Sequence, residues 1–207
     1  EIIGFFISGH PLERFRAVVE VVGTRTTATL GEWDERPVTI AVVVTAIKRQ
    51  ISKKTGKEYA RITLEDFHGT AEAIVFPEAW SKLNQVIRVD TAMMLNGGYS
   101  PRDRGEEQAP FIVEGARDLA EMEASGSLAV AIQWDSPAPP SADVVGAVVQ
   151  VCEAHPGPAA LYIQWTDGNG QSARLRSRRL RIGAEEETLR ALRDLFGTTA
   201  VSLIRAE

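Results

Sequence analysis

The sequence predicts a mixed β and α+β protein, a five-stranded β-barrel followed by a small βαββαβ domain. Three observations carry that reading. Between Pro37 and Leu119, apolar residues alternate at period two through five short segments, with one helical stretch between the third and the fourth. The segment "AEMEASGS" beginning at Ala120 is small, polar and acidic, as a linker is. Beyond it, period-two and helical-period segments follow in the order strand, helix, strand, strand, helix, strand. The chain has 207 residues, which suits two small domains.

Residues 1–30 carry two apolar patches, 2–7 and 18–22, separated by the turn signal "SGHP". That is too little for a core of its own, so 1–30 is expected to be a lead-in segment packed against other sequence. The first barrel strand places Val38, Ile40, Val42 and Val44 on one face and Thr39, Ala41 and Thr45 on the other. "SKKTGK" is a hairpin turn in which Gly56 is free to take a positive φ. The second strand sets Ala60, Ile62 and Leu64 against Tyr59, Arg61 and Thr63. His68 and Gly69 turn the chain into "TAEAIVF", and "PEAWSKLNQVI" is a short helix with Pro77 near its start. "TAMMLNGGYS" and "FIVEGARDL" complete the barrel across a charged loop, with "NGG" at 96–98 read as a bend in a strand.

Three strands, a helix and two strands is the order of a five-stranded Greek-key OB-fold barrel. SH3-like barrels also have five short strands, but the intervening helix favours the OB reading. In the second domain, "LAVAIQW" is a strand, and Ser141 begins a helix that His155, Pro156 and Gly157 stop. "ALYIQWT" and "QSARLRSRRLRI" form a hairpin across 167–170. "AEEETLRALRDLFG" is an amphipathic helix with Leu189, Leu192 and Phe196 on one stripe, and "AVSLI" is the last strand. The order βαββαβ matches the ferredoxin-like split unit. The expected division is thus a lead-in at 1–30, an OB barrel at 31–119, a linker at 120–126 and an α/β domain at 127–207.

Composition excludes several classes. The formal net charge of -5 and pI near 5.4 do not suit a protein that coats nucleic acid over its whole surface, but they allow a local basic face. The single cysteine, Cys152, cannot form an intrachain disulfide and sits among valines as a small buried hydrophobe. With no signal peptide, this points to a reducing, cytoplasmic setting. The apolar run at 38–47 is far short of the ~20 residues that span a bilayer, so no membrane partner is expected. His10, His68 and His155 lie far apart beside Gly or Pro, with no zinc spacing, so no metal or other cofactor is expected. No GxxxxGK[ST] or GxGxxG cradles a nucleotide. Glu65 and Asp66 point to opposite strand faces and read as a solvated strand end. Glu185, Glu186 and Glu187 offset a helix dipole. With no nucleophile–base pair, catalysis within this chain is not expected.

One feature stands apart. Lys48, Arg49, Lys53, Lys54 and Lys57 place five cations on one hairpin, with no acid between the first and the last. In an OB barrel the loop joining the first two strands overhangs the ligand face. The five cations would then line one rim, with Tyr59 and Arg61 continuing onto the strand face. Cations suit phosphates and Tyr59 suits a stacked base, so the pattern predicts weak, salt-sensitive single-strand binding without sequence preference. Lysines on a hairpin also serve solubility and edge protection alone. A second cluster, Arg174, Arg176, Arg178, Arg179 and Arg181, lies on a strand without the paired aromatics of RNA-recognition sheets, and its role stays open.

"IIGFFISGHPLERF" resembles the "SGHPL" segment that precedes the OB domain in bacterial DNA polymerase III alpha subunits, the replicative family C polymerases. "SKKTGKEYARITLEDFHGTAEAIVFPEAW" is similar to that family's OB core, and "LRSRRLRIGAEEETLRALRDLFGTTAVSL" to the end of its C-terminal domain. Val42 stands where the family's first strand is expected to carry a glycine, and the loop at 101–110 is unusually acidic. The resemblance implies a C-terminal fragment cut from a longer chain, with the polymerase aspartates and the sliding-clamp motif upstream. It implies that the OB domain binds single-stranded template DNA through Lys48, Arg49, Lys53, Lys54, Lys57, Tyr59 and Arg61. It also implies that the last helix and strand contact the tau subunit of the clamp loader, within a replisome. The error-prone paralogue of this family shares the pattern. An OB anticodon-binding module of an aminoacyl-tRNA synthetase is the other alternative, though "SGHPL" has no place in it.

Overall fold

The computed structural model describes residues 10–206, so the apolar patch at 2–7 and the first two residues of "SGHPL" lie outside the described residues. The chain divides into two compact units, Glu1–Leu119 and Ala120–Glu207.

In the first unit a 3-10 turn at Glu13–Phe15 leads into helix α1 (Arg16–Val22), which lies against the first strand. Five strands follow: β1 (Val38–Ile51), β2 (Glu58–Asp66), β3 (Gly69–Val75), β4 (Thr91–Gly98) and β5 (Phe111–Asp118). They close in the order β1-β2-β3-β5-β4, with β4 returning to β1. Only the β3–β5 pair is parallel; it closes the barrel. Helix α2 (Pro77–Leu83) sits between β3 and β4, is shorter than the sequence pattern suggested, and plugs Trp80 into the core. The core takes the expected faces: Val38, Ile40, Val42 and Val44 from β1 and Ala60, Ile62 and Leu64 from β2.

Barrel curvature comes from a bulge rather than from a glycine at position 42. Val44 pairs with Leu64 but Ala46 pairs with Thr63, so Thr45 is the extra residue, and its hydroxyl donates to the Thr63 carbonyl at 3.3 Å. The bulge bends β1 so that its first half pairs with β4 and its second half with β2. It also shifts the in–out alternation by one residue, which matters for the basic hairpin.

Asp66 corrects the reading of Glu65 and Asp66 as a solvated end. It is buried and accepts from the Thr27 N–H at 2.8 Å, the Thr27 hydroxyl at 2.5 Å and the His68 N–H at 2.7 Å. These bonds tie the lead-in to the β2–β3 turn and satisfy a carboxylate that burial would otherwise penalise.

Residues Leu119–Ala124, overlapping the expected linker at 120–126, form a short helix, α3. The second unit contains β6 (Leu128–Asp135), α4 (Ala142–Ala154), β7 (Ala159–Thr166), β8 (Ser172–Ile182), α5 (Glu186–Phe196) and β9 (Val201–Arg205). Ser141 caps α4, accepting from the Val144 N–H at 3.4 Å. The chain order is the expected βαββαβ, but the sheet order is β8-β7-β6-β9. A split unit has a strand between its two parallel strands; here β6 and β7 are parallel and adjacent. The ferredoxin-like description therefore fails on strand order. The physical reason lies in β8, whose arginines leave it exposed along almost its whole length; such a strand takes an edge, not the centre. Among the described residues, no helix is long and apolar enough to cross a membrane.

Candidate nucleic-acid interface

The outer face of β2 and β3 carries side chains in rows set by the ladders. Lys48, Arg61 and Ile74 form one row. Gln50 and Tyr59 form the next toward the hairpin turn, and the same register carries Phe76 opposite Tyr59. The Tyr59 hydroxyl donates to Gln50 Oε1. In the opposite direction, Thr63 pairs with Glu72.

The turn at 52–57 rises over the hairpin end of this face. The Ser52 N–H donates to the Lys57 carbonyl at 2.9 Å, the Gly56 N–H to the Ser52 carbonyl at 2.8 Å, and Gly56 takes φ 65° as anticipated. Lys53, Lys54, Tyr59, Arg61, Ile74 and Phe76 line a groove of about 860 Å³ between the turn and the strands. Its charged lining residues are all cations.

Not every hairpin cation joins it. The bulge at Thr45 turns Arg49 to the core side, opposite Ala60, where its guanidinium lies 5.6 Å from the centre of the Trp80 ring. Lys57 faces a different groove, against α2, whose lining also includes Glu58 and Glu78. Of the seven residues read from the sequence, the structure brings Lys53, Lys54, Tyr59 and Arg61 into one groove. Lys48 pairs with Arg61 in the β1–β2 ladder without lining the groove, and Arg49 and Lys57 stand elsewhere.

Sequence reasoning missed Phe76, which is 47% exposed at the groove, and Ile51, which is 72% exposed. The signal was present in the alternation: Ala73 and Val75 point inward, so Ile74 and Phe76 point outward.

The groove continues past Arg61 and Ile74 into a second hollow of about 810 Å³, lined by Thr27, Glu32, Glu72 and Glu107 among others. Arg61 Nη1 lies 3.8 Å from Glu72 Oε2. Glu32 is held at 2.7 Å by Arg25, which also bonds Asp34. The Arg36 guanidinium and N–H beside Asp34 hold that carboxyl down to about 2. The Tyr99 hydroxyl donates to the Leu30 carbonyl, and burial pushes its pKa up.

In the second unit, Trp134, Val144, Val145, Val148, Leu175 and Phe196 line an apolar groove of about 210 Å³. Leu175 is 47% exposed and Val145 45%. Arg174 and Arg176 lie over the Tyr162 ring at 4.2 and 5.8 Å. Tyr162 is itself buried, so no base-stacking face is presented here. Arg178 and Arg179 stand on a bulge in β8, where the Leu180 N–H bonds Ser177 Oγ at 2.9 Å. Cys152 is buried, and burial pushes its thiol up. Among the described residues, no group of three or more His, Cys, Asp or Glu could hold a metal ion.

Residues 38–115, all but the last three residues of the span of the barrel strands, match the family model described as an OB-fold nucleic acid binding domain. The DNA polymerase III subunit alpha of Bacillus subtilis is 28% identical over 203 residues, covering 98% of this chain and 18% of that protein. The same subunit of Treponema pallidum is 32% identical over 126 residues, covering 59% of this chain and 10% of that protein. The chain thus spans less than a fifth of the length of these curated relatives. A solved asparaginyl-tRNA synthetase from Pyrococcus horikoshii is a looser likeness, with a TM-score of 0.35 at 17% identity, over 46% of this chain and 22% of that one.

Proposed function

We propose that this chain, homologous along nearly its whole length to bacterial DNA polymerase III alpha subunits, is a non-catalytic binding module of such a polymerase. Its barrel holds single-stranded template DNA in the groove under the β1–β2 turn. The observation that carries this is the groove itself: among the described residues, Lys53, Lys54 and Arg61 are its only charged lining, and Tyr59 and Phe76 stand side by side beneath them. Mobile cations neutralise phosphates, and exposed rings accept unstacked bases of any identity. Nucleotidyl transfer is assigned to other parts of the parent polymerase, since this chain covers only 18% of such a relative.

The test is an anisotropy titration of labelled single-stranded and duplex DNA. With about three phosphates contacted, single-strand affinity falls about 20-fold between about 50 and 200 mM salt. Binding that ignores salt, or that prefers duplex, contradicts the reading.

The second unit is proposed to dock the tau subunit of the clamp loader through the groove between α4, β8 and the end of α5. An exposed apolar groove beside Arg178 and Arg179 suits an apolar segment with acidic flanks. Leu175→Asp, an exposed change, is expected to weaken capture by immobilised tau at least about tenfold while leaving DNA binding unchanged. Undiminished capture would place the contact elsewhere.

A further inference from the structure

We propose that the barrel groove is divided electrostatically, so that it holds a run of about four nucleotides and turns the strand out at Glu72. This rests on the single-strand reading above and adds a length limit to it. The two halves of the groove share Arg61 and Ile74 as lining. Among the described residues, the charged lining of the hairpin side is all cationic, while that of the far side is Glu32, Glu72 and Glu107 with Arg61. Glu32 is held at 2.7 Å by Arg25, whereas Glu72 lies at a looser 3.8 Å from Arg61, so Glu72 and Glu107 are the less neutralised carboxylates of the far side.

Glu72 stands where a continuing strand would run. It faces Thr63 in the β2–β3 ladder, one outward row beyond Arg61, and draws the Arg61 guanidinium to within 3.8 Å. A phosphate passing that row would meet a carboxylate and, among the described residues, no lining cation of the far hollow beyond Arg61. At about 10 Å in water, one such carboxylate weakens binding roughly twofold. From the row of Ile51 and Glu58 to that of Lys48 and Arg61 is three residue steps, about 10 Å at ~3.4 Å per residue. With the overhanging turn, that length falls at the short end of the ~4–16 nucleotides one OB barrel covers.

The aromatic row strengthens the argument. Tyr59 and Phe76 both lie on the hairpin side of Arg61, and among the described residues the far hollow has no aromatic lining. Charge and stacking therefore favour the same half, and neither extends a bound strand beyond it.

The experiment compares thymidine oligonucleotides of about 4, 8 and 16 residues on the parent chain and on Glu72→Gln/Glu107→Gln. In the parent, affinity per available register stops rising at the shortest length. In the variant the longest oligonucleotide tightens about threefold more than the shortest, which gains only from the release of Arg61, and retained binding of the shortest reports an intact fold. Affinity that climbs steadily with length in the parent, or a variant indistinguishable from it on the longest strand, overturns the length limit and leaves single-strand binding standing. Failure of every length to bind at low salt removes the single-strand reading itself, and the limit with it.

Discussion

Gly97→Ala is expected to unfold the barrel near room temperature or lower its melting point by at least about 15 °C, corresponding to roughly 4 kcal/mol. A Cβ built on Gly97 would stand 1.9 Å from the Ile112 carbonyl oxygen and 2.9 Å from its carbon. Both are backbone atoms of β5, at the point where the β4–β5 register slips between Asn96 and Gly97. No rotamer relieves that contact; β4 and β5 must part, and the neighbouring core residues Phe111 and Val113 lose their packing. The adjacent residue is an internal control. A Cβ on Gly98 meets nothing within 4 Å, so Gly98→Ala is expected to cost no more than about 1 kcal/mol. Thermal melts of the two variants check the pair. Equal melting points would mean that β4 and β5 are not apposed as described.

Phe76→Ala is expected to lower single-strand affinity about tenfold without lowering stability appreciably. The ring is half exposed at the groove, so little burial is lost on truncation, and the backbone role of Phe76 survives, its carbonyl still accepting from the Trp80 N–H at 2.8 Å. Stacking on one aromatic contributes about 1–3 kcal/mol per base, and the lower half of that range gives about tenfold. Phe76→Trp keeps a π face and should retain binding. A Phe76→Ala protein that melts like the parent and binds like it would show that bases do not reach this row.

Much of the barrel was legible because its signal is local. Period two marked the inward faces of β1 and β2, Gly56 marked the turn, and Pro77 and Ser141 marked helix starts. What escaped depends on contacts distant in sequence. The bulge at Thr45 is set by pairing with Thr63, and it alone decides that Lys48 pairs with Arg61 while Arg49 turns to Trp80. Asp66 looked like a solvated strand end until Thr27, 39 residues away, supplied its donors. Strand order in the second unit follows from which strand tolerates an edge, and the five arginines of β8 carried that information without its being used. The acidic hollow beyond Arg61 gathers Glu32, Glu72 and Glu107 from three separate segments, so no stretch of sequence announces it.

The central claim is that Lys53 and Lys54 hold phosphates over the outer face of β2 and β3. The salt dependence of single-strand binding by Lys53→Glu/Lys54→Glu tests it most directly. Both lysines are exposed on the turn, so the fold is expected to be unaffected. Removing two of about three phosphate contacts should lower affinity at least about tenfold at low salt and flatten the logarithmic salt slope from about 2 to below about 1. A double variant with the parent's affinity and the parent's slope would contradict the account, because the groove beneath the turn would then not be where the strand lies.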